Sequence, residues 1–287
     1  MLEDIMVLEG YSLRLSRKLG TFERLACLSV PKFSQLLKDI APIWVEAEHK
    51  RLSKAPRKRD IGAGNSYKLP LCDILLMLLI YYRTYITHEF LGFLFKLDNS
   101  NVGRCINRLN PCLEKHFRIP ERKIISKEEA ETLFFDGTEQ PIQRPKKKKA
   151  RKSCYSGKKK RHTLKIQAVS NDKEEIRAVS KSLHGRKHDK KIYDQTRVVC
   201  PPNSQKVGDT AYIGTSLKTP HKKPKGGELT PEQKQENREI SSKRVVVEHA
   251  IGRMKRFQIL AQRFRNPRKS HTLIVKNIAG LANLAAA

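Results

Sequence analysis

The chain has 287 residues, 38% of them hydrophobic, and 59 Lys and Arg against 29 Asp and Glu, a formal net charge of +30. Self-repulsion on that scale destabilises a compact fold, so an anionic partner is implied; nucleic acid fits better than a membrane, because the charge accompanies polar, structured segments. Six scattered cysteines without a CxxC pair argue against a disulfide framework, and the longest apolar run, residues 74–82, is too short to span a bilayer and stops at Arg83.

Residues 1–65 read as an N-terminal helical segment and basic linker. Phe33, Leu36, Leu37 and Ile40 share one helical face over 33–44, and the helix is expected to end near Ala41-Pro42, since proline disfavours helix in the residue before it. The basic, proline-containing stretch 50–59 and Gly62-Ala63-Gly64-Asn65 read as linker. Residues 1–10 are acidic and mixed, without a cleavable leader pattern.

Residues 66–120 read as an all-α helix-turn-helix domain. An apolar helix over 71–82 comes first. Thr87 caps a second helix that buries Phe90, Leu91 and Leu94, and Asn99 or Ser100 caps a third over 102–109. That third helix turns Val102, Ile106 and Leu109 inward and Asn101, Arg104, Asn107 and Arg108 outward, side-chain types that read base edges or grip phosphates in double-stranded DNA. Cys105, Cys112 and His116 share a helical face, but without a fourth ligand a buried small-residue face is the better reading than zinc.

Residues 121–287 change to an α/β pattern. An aromatic strand, residues 132–142, runs into Asp136-Gly137, which reads either as a solvent-facing turn or as a metal ligand where the strand gives out. Residues 144–161 form an acid-free loop whose Lys158, Lys159, Lys160 and Arg161 are suited to phosphates. Strands follow over 162–170 and 175–180, then a helix with Asp189 as its N-cap, and a short strand, 206–209, that again ends on an acid, Asp209. Residues 218–238 read as a polar loop, 240–264 as a long helix and 273–284 as a tail helix. At 100° per residue, Val247, Ala250, Ile251 and Met254 face the sheet, Arg244, Glu248 and Lys255 line the rim, and His249, Arg253 and Arg256 point away. Two strand-end aspartates and a rim glutamate suit hard divalent cations, because phosphoryl transfer needs charge neutralised on both sides of phosphorus.

At these residues the chain resembles the DDE-type transposases of bacterial insertion sequences, the insertion-sequence-5-like group related to eukaryotic Harbinger transposases. The resemblance spans roughly residues 66–282 and rests on Phe135-Asp136-Gly137-Thr138, Tyr155-Ser156-Gly157-Lys158, His162-Thr163-Leu164-Lys165, His188-Asp189, Gly208-Asp209-Thr210-Ala211-Tyr212 and the stretch from Arg244 to Lys255. It implies a ribonuclease-H-like α/β catalytic domain, a mixed central sheet flanked by helices. It also implies a catalytic, metal-binding triad of Asp136, Asp209 and Glu248 with two Mg²⁺ or Mn²⁺ ions and no small-molecule cofactor. Arg244 and Lys255 match the family's Arg-three-Glu-six-Lys signature, which places Lys255 on transposon-end DNA; the tyrosine often found three residues before the arginine is Ser241 here. The implied substrates are transposon ends and target DNA, engaged by a homo-oligomer on DNA with no membrane partner. The expected location is the cytoplasm, at the nucleoid of a bacterium, or the nucleus for a eukaryotic relative. Two rival readings stand beside it: a domesticated, non-catalytic DNA-binding protein, and a nuclease of the same fold that cuts without joining.

Overall fold

A computed structural model describes residues 7–54, 60, 67–124 and 132–287; most of the expected linker lies outside these residues. The chain divides into two compact units, Met1–Arg118 with Phe257–Ile259 and Leu284–Ala287, and Ile119–Arg256 with Leu260–Asn283. Among the described residues, no helix is long and apolar enough to cross a membrane.

The first unit is helical: α1 (Gly10–Ser16), α2 (Leu19–Ala26), α3 (Val30–Leu52), α4 (Leu71–Thr84), α5 (His88–Phe95) and α6 (Asn99–Phe117). α3 does not stop at Pro42. Its buried stripe of Phe33, Leu36, Leu37 and Ile40 continues through Trp44 to Glu48, and that burial outweighs the roughly 3 kcal/mol that an interior proline costs a helix. α4 is buried on nearly every side and donates an acid to a neighbour. Asp73 accepts the backbone N–H groups of Tyr11 (3.0 Å) and Ser12 (2.7 Å), the otherwise orphaned donors at the start of α1.

Thr87 caps α5 as expected, accepting from Phe90 N–H at 3.2 Å. The burial of α5 differs from expectation: Leu91 and Phe95, one turn apart, are buried, whereas Phe90 and Leu94 are exposed. An eight-residue helix has one packing stripe, and that pair occupies it. α6 begins one residue earlier than expected, with Asp98 at the N-cap, and runs on to Phe117 with Val102, Ile106 and Leu109 inward.

The second unit is the expected mixed sheet flanked by helices. Its strands are β1 (Thr132–Pro141), β2 (Tyr155–Ser156), β3 (Arg161–Ser170), β4 (Ile176–Val179), β5 (Leu183–His184) and β6 (Gln205–Gly208). The order is β2-β3-β1-β6, with β4 and β5 also on β3; β1 is antiparallel to β3 and parallel to β6. Alternation along β1 sends Phe134 to one face, where it packs with Val207, Ile240, Val247 and Ile251, and Leu133 and Phe135 to the other, with Val169, Ala178, Tyr212 and Leu217. The first face is covered by α9 (Pro231–Lys255), the second in part by α8 (Asp189–Thr196), whose Tyr193 ring lies 5.5 Å from Phe135.

Three expectations are corrected here. The acid-free loop contains a helix, α7 (Lys148–Cys154), and the strand β2, so only part of it is irregular. α8 starts at Asp189 itself, with His188 at the N-cap position and no side-chain capping bond there. α9 begins at Pro231, inside the stretch read as loop, because Thr230 and Gln233 close a reciprocal capping box, and it ends at Lys255; a short helix, α10 (Gln258–Ala261), follows before α11 (His271–Ala286).

Candidate active site

Asp136 is not at the end of its strand. β1 continues to Pro141 against β3, pairing Asp136 with Ala168 and Gln140 with Leu164. What ends at this point is β6. The last parallel register pair is Phe135 with Gly208, on strands spaced about 4.8 Å apart, and Asp136 and Asp209 are the residues that directly follow that pair on the two segments. Past Gly208 the chain turns away, and Asp209 Oδ1 caps that turn by accepting from Ala211 N–H at 2.9 Å.

Asp136 points to the α9 face. Its Oδ1 accepts the Gly137 N–H at 2.8 Å. Burial pushes its carboxyl up to about 6; the Gly137 N–H and the Arg244 guanidinium oppose the rise, while the charges of Asp209 and Asp189 add to it. Arg244 is half-buried on α9, and its Nε is buried without an acceptor. Glu248, one turn further along α9, is exposed, as is Lys255. Among the described residues, no three His, Cys, Asp or Glu side chains are close enough to hold a metal ion together. The structure thus brings Asp136, Asp209 and Arg244 into electrostatic contact and leaves Glu248 outside that group. By donor chemistry the aspartate pair fits a hard divalent cation: two carboxylates that repel each other across adjacent strands, next to a buried guanidinium N–H without a partner.

The opposite face of β1 carries a group that the sequence reading missed. Lys165 is buried and reaches Glu139 Oε1 (3.1 Å) and Asp189 Oδ1 (3.2 Å), and Thr163 Oγ1 donates to Glu139 Oε2 at 2.8 Å. Asp189 lies so close to β1 that a Cβ on Gly137 would meet its Oδ1 at 2.2 Å, so a larger residue there would displace the Asp189 carboxylate. At 3.2 Å from the Lys165 ammonium this oxygen is within ion-pair reach, yet it accepts no hydrogen bond, which leaves it a half-satisfied acid beside the site. The available signal was β3 itself. Thr163, Lys165 and Gln167 alternate with Leu164, Ile166 and Ala168, and read as a wet face; Asp189 at the start of α8 and Tyr212 pack onto that face, and it is buried.

The expected DNA contacts are dispersed. On α6, Arg104 and Asn107 are exposed, and Arg104 Nη1 donates to Asn101 Oδ1 at 2.8 Å. Arg108 is half-buried and lends its charge to Glu48, whose carboxyl is held below its usual value. Burial acts against that lowering and is outweighed by hydrogen bonds from Arg51 and Tyr67 and by the Arg51 and Arg108 charges. Lys158, Lys159, Lys160 and Arg161 are all exposed at the turn between β2 and β3. On α9, His249 is exposed, but Arg253 turns inward onto Glu174, which also meets His249 Nδ1 at 3.0 Å.

Residues 135–283 match the family described as DDE superfamily endonuclease, and residues 67–119 match the family described as helix-turn-helix of DDE superfamily endonuclease. The chain is 34% identical over 239 residues to a protein of Microchaete diplosiphon named "probable transposase for insertion sequence element IS702", covering 80% of this chain and 86% of that one. It is 29% identical over 229 residues to a protein of Streptomyces albus G named "putative transposase for insertion sequence element IS112", covering 78% of this chain and 84% of that one. No solved structure matches it.

Proposed function

The chain belongs to the DDE superfamily endonucleases, with relatives among insertion-sequence transposases, and from that premise we propose that it binds the terminal inverted repeats of a mobile element, cuts there and joins the freed end to target DNA. The observation that carries the reading is the meeting of Asp136 and Asp209 one residue past the last parallel register pair, with Asp136 raised by burial and by its neighbour's charge.

The superfamily generally uses divalent metal ions. Asp136 and Asp209 would hold two Mg²⁺ or Mn²⁺ ions, with Glu248 as the third ligand; the ions, when bound, supply Lewis acidity and neutralise charge at the reacting phosphate. The chain's own contribution is placement. The two aspartates are fixed by the sheet. Arg244 adds a cation beside them that can meet a phosphate oxygen. Lys255 and the Lys158–Arg161 turn hold backbone phosphates, and Asn101, Arg104 and Asn107 of α6 enter a groove of the end sequence, with Arg108 supporting from behind. Cleavage leaves a 3′-hydroxyl, which attacks a target phosphodiester in the same site. Joining requires both ends at once, so a homo-oligomer on DNA, at the nucleoid of a bacterial cell, belongs to the proposal.

The test uses purified protein, duplexes carrying the element's ends and Mg²⁺. Nicked and joined products are expected, and Asp136→Ala loses both. Nicks that never mature into joined products turn the reading to a nuclease; end binding without any cleavage turns it to a non-catalytic DNA-binding protein.

A further inference from the structure

An open cleft of about 1190 Å³ lies in the second unit against α7, β2 and the start of β3. Six cations line it: Arg144, Lys148, Arg151, Lys152, Lys158 and Arg186. No carboxylate belongs to its wall, and among the described residues none of these six has an acidic partner. Past Lys152, Arg186 and His188 it continues into a second hollow of about 520 Å³ with Lys149, Lys187 and Lys191. Phosphate binding accounts for all of this except one residue. Tyr155 lines the same cleft and is 43% exposed, which a ring among solvated lysines gains nothing from.

Tyr155 is also held in place. It pairs in register with His162 across β2 and β3, and the two rings stand edge-to-face at 5.6 Å and 72°. A fixed, exposed aromatic ring in a cationic cleft is the arrangement on which the base of an unpaired strand stacks while its phosphates follow the charge. Duplex DNA has no base face to offer except at its ends, since the others are closed in the stack. His188 lines the cleft, and the next residue in sequence, Asp189, lies against Gly137, the neighbour of Asp136.

We infer that this cleft binds an unpaired DNA strand, with one base stacked on Tyr155 and the neighbouring phosphates held by the six cations. The inference rests on the transposase reading and adds to it a site that holds one DNA strand apart from its complement.

The test uses the full chain and fluorescence anisotropy with three probes. These are an oligo(dT) strand of about 12 nucleotides, within the site sizes of single-strand binders, an abasic strand with the same number of phosphates, and an element-end duplex. Tyr155→Ala is expected to weaken oligo(dT) binding about tenfold and to leave its salt slope unchanged, while Tyr155→Phe retains wild-type affinity. The wild type is expected to bind the abasic strand as weakly as Tyr155→Ala binds oligo(dT). Lys152→Ala and Arg186→Ala, by contrast, are expected to lower the salt slope for oligo(dT) by about 0.7 each. Equal affinity of Tyr155→Ala and the wild type for oligo(dT), or of the wild type for abasic and dT strands, overturns the inference. If the wild type still cuts and joins duplex ends in that case, the transposase reading survives; if it binds none of the three probes, that reading fails first.

Discussion

Glu139 and Asp136 sit three residues apart on β1, on opposite faces of the sheet, and the protein handles their charge in opposite ways. Burial pushes Glu139 up, but hydrogen bonds from Ser156 and Thr163 and the Lys165 ammonium outweigh it and hold the carboxyl below its ordinary value. Burial acts more strongly on Asp136, with less relief, from one backbone N–H and Arg244, and with two acids nearby; it is pushed up to about 6. The first acid is neutralised from within the chain and acts in packing. The second lacks such neutralisation, which is what a carboxylate reserved for an external cation looks like before the cation arrives.

The largest effect expected from this contrast is on chemistry. Asp136→Asn should reduce metal-dependent end cleavage by about 10³-fold or more, the scale of a lost metal ligand in phosphoryl transfer. In chelator at neutral pH the same variant should melt above the wild type, because a charge strained by burial and like neighbours has gone. Added Mg²⁺ should raise the melting temperature of the wild type only. A variant that melts below the wild type in chelator would break the contrast.

On the other face the sign reverses. Lys165→Met leaves the part-buried Glu139 and Asp189 without their shared, buried cation and should cost about 3 kcal/mol in urea unfolding, largely recovered when Glu139→Gln is added. An unaffected single variant would show that Lys165 is not what neutralises that face.

The pH dependence of metal-free stability should separate the two acids next. Asp136 has a folded value above its unfolded 3.8, so its contribution is complete below about 4 and is lost as pH rises toward about 6. Glu139 has a folded value below its unfolded 4.5, so its contribution is present above that and is lost as pH falls through the lowered value. Asp136→Asn should therefore remove the loss on the rising side and Glu139→Gln the loss on the falling side, read from urea midpoints across that range. Identical profiles for the two variants would contradict the opposite shifts. The smallest effect concerns Thr163→Val, which removes one hydrogen bond to Glu139 and should cost about 1 kcal/mol.

Much of this was legible along the chain. The faces of α9 followed from helical spacing, with Val247, Ala250, Ile251 and Met254 all buried. The two aspartates stood out because each follows an apolar strand. Their geometry was less accessible: Asp136 looked like a strand end because Gly137 follows it, whereas that glycine makes room for Asp189 from another helix. The capping box Thr230-Pro231-Glu232-Gln233 was present but lay hidden in a stretch whose polar composition resembled a loop. The Lys165 cluster depends on Asp189 and Tyr212, from distant parts of the chain, packing over that face of β3, a tertiary fact that alternation cannot report.

The four register pairs that bring Phe135 level with Gly208 have a bearing on how such a chain can change over time. The separation of Asp136 from Asp209 is set by hydrogen bonds between two strands and not by the chain that joins them. Residues added or removed in the turn 157–160 or the connection 197–204 alter a loop-closure term that grows only slowly with length, and leave the ladder in register. The distance between these acids in sequence can therefore change while their distance in space is held, and a tag or reporter for following the protein in cells is best inserted in the connection 201–204, away from the phosphate-holding Lys158–Arg161 turn.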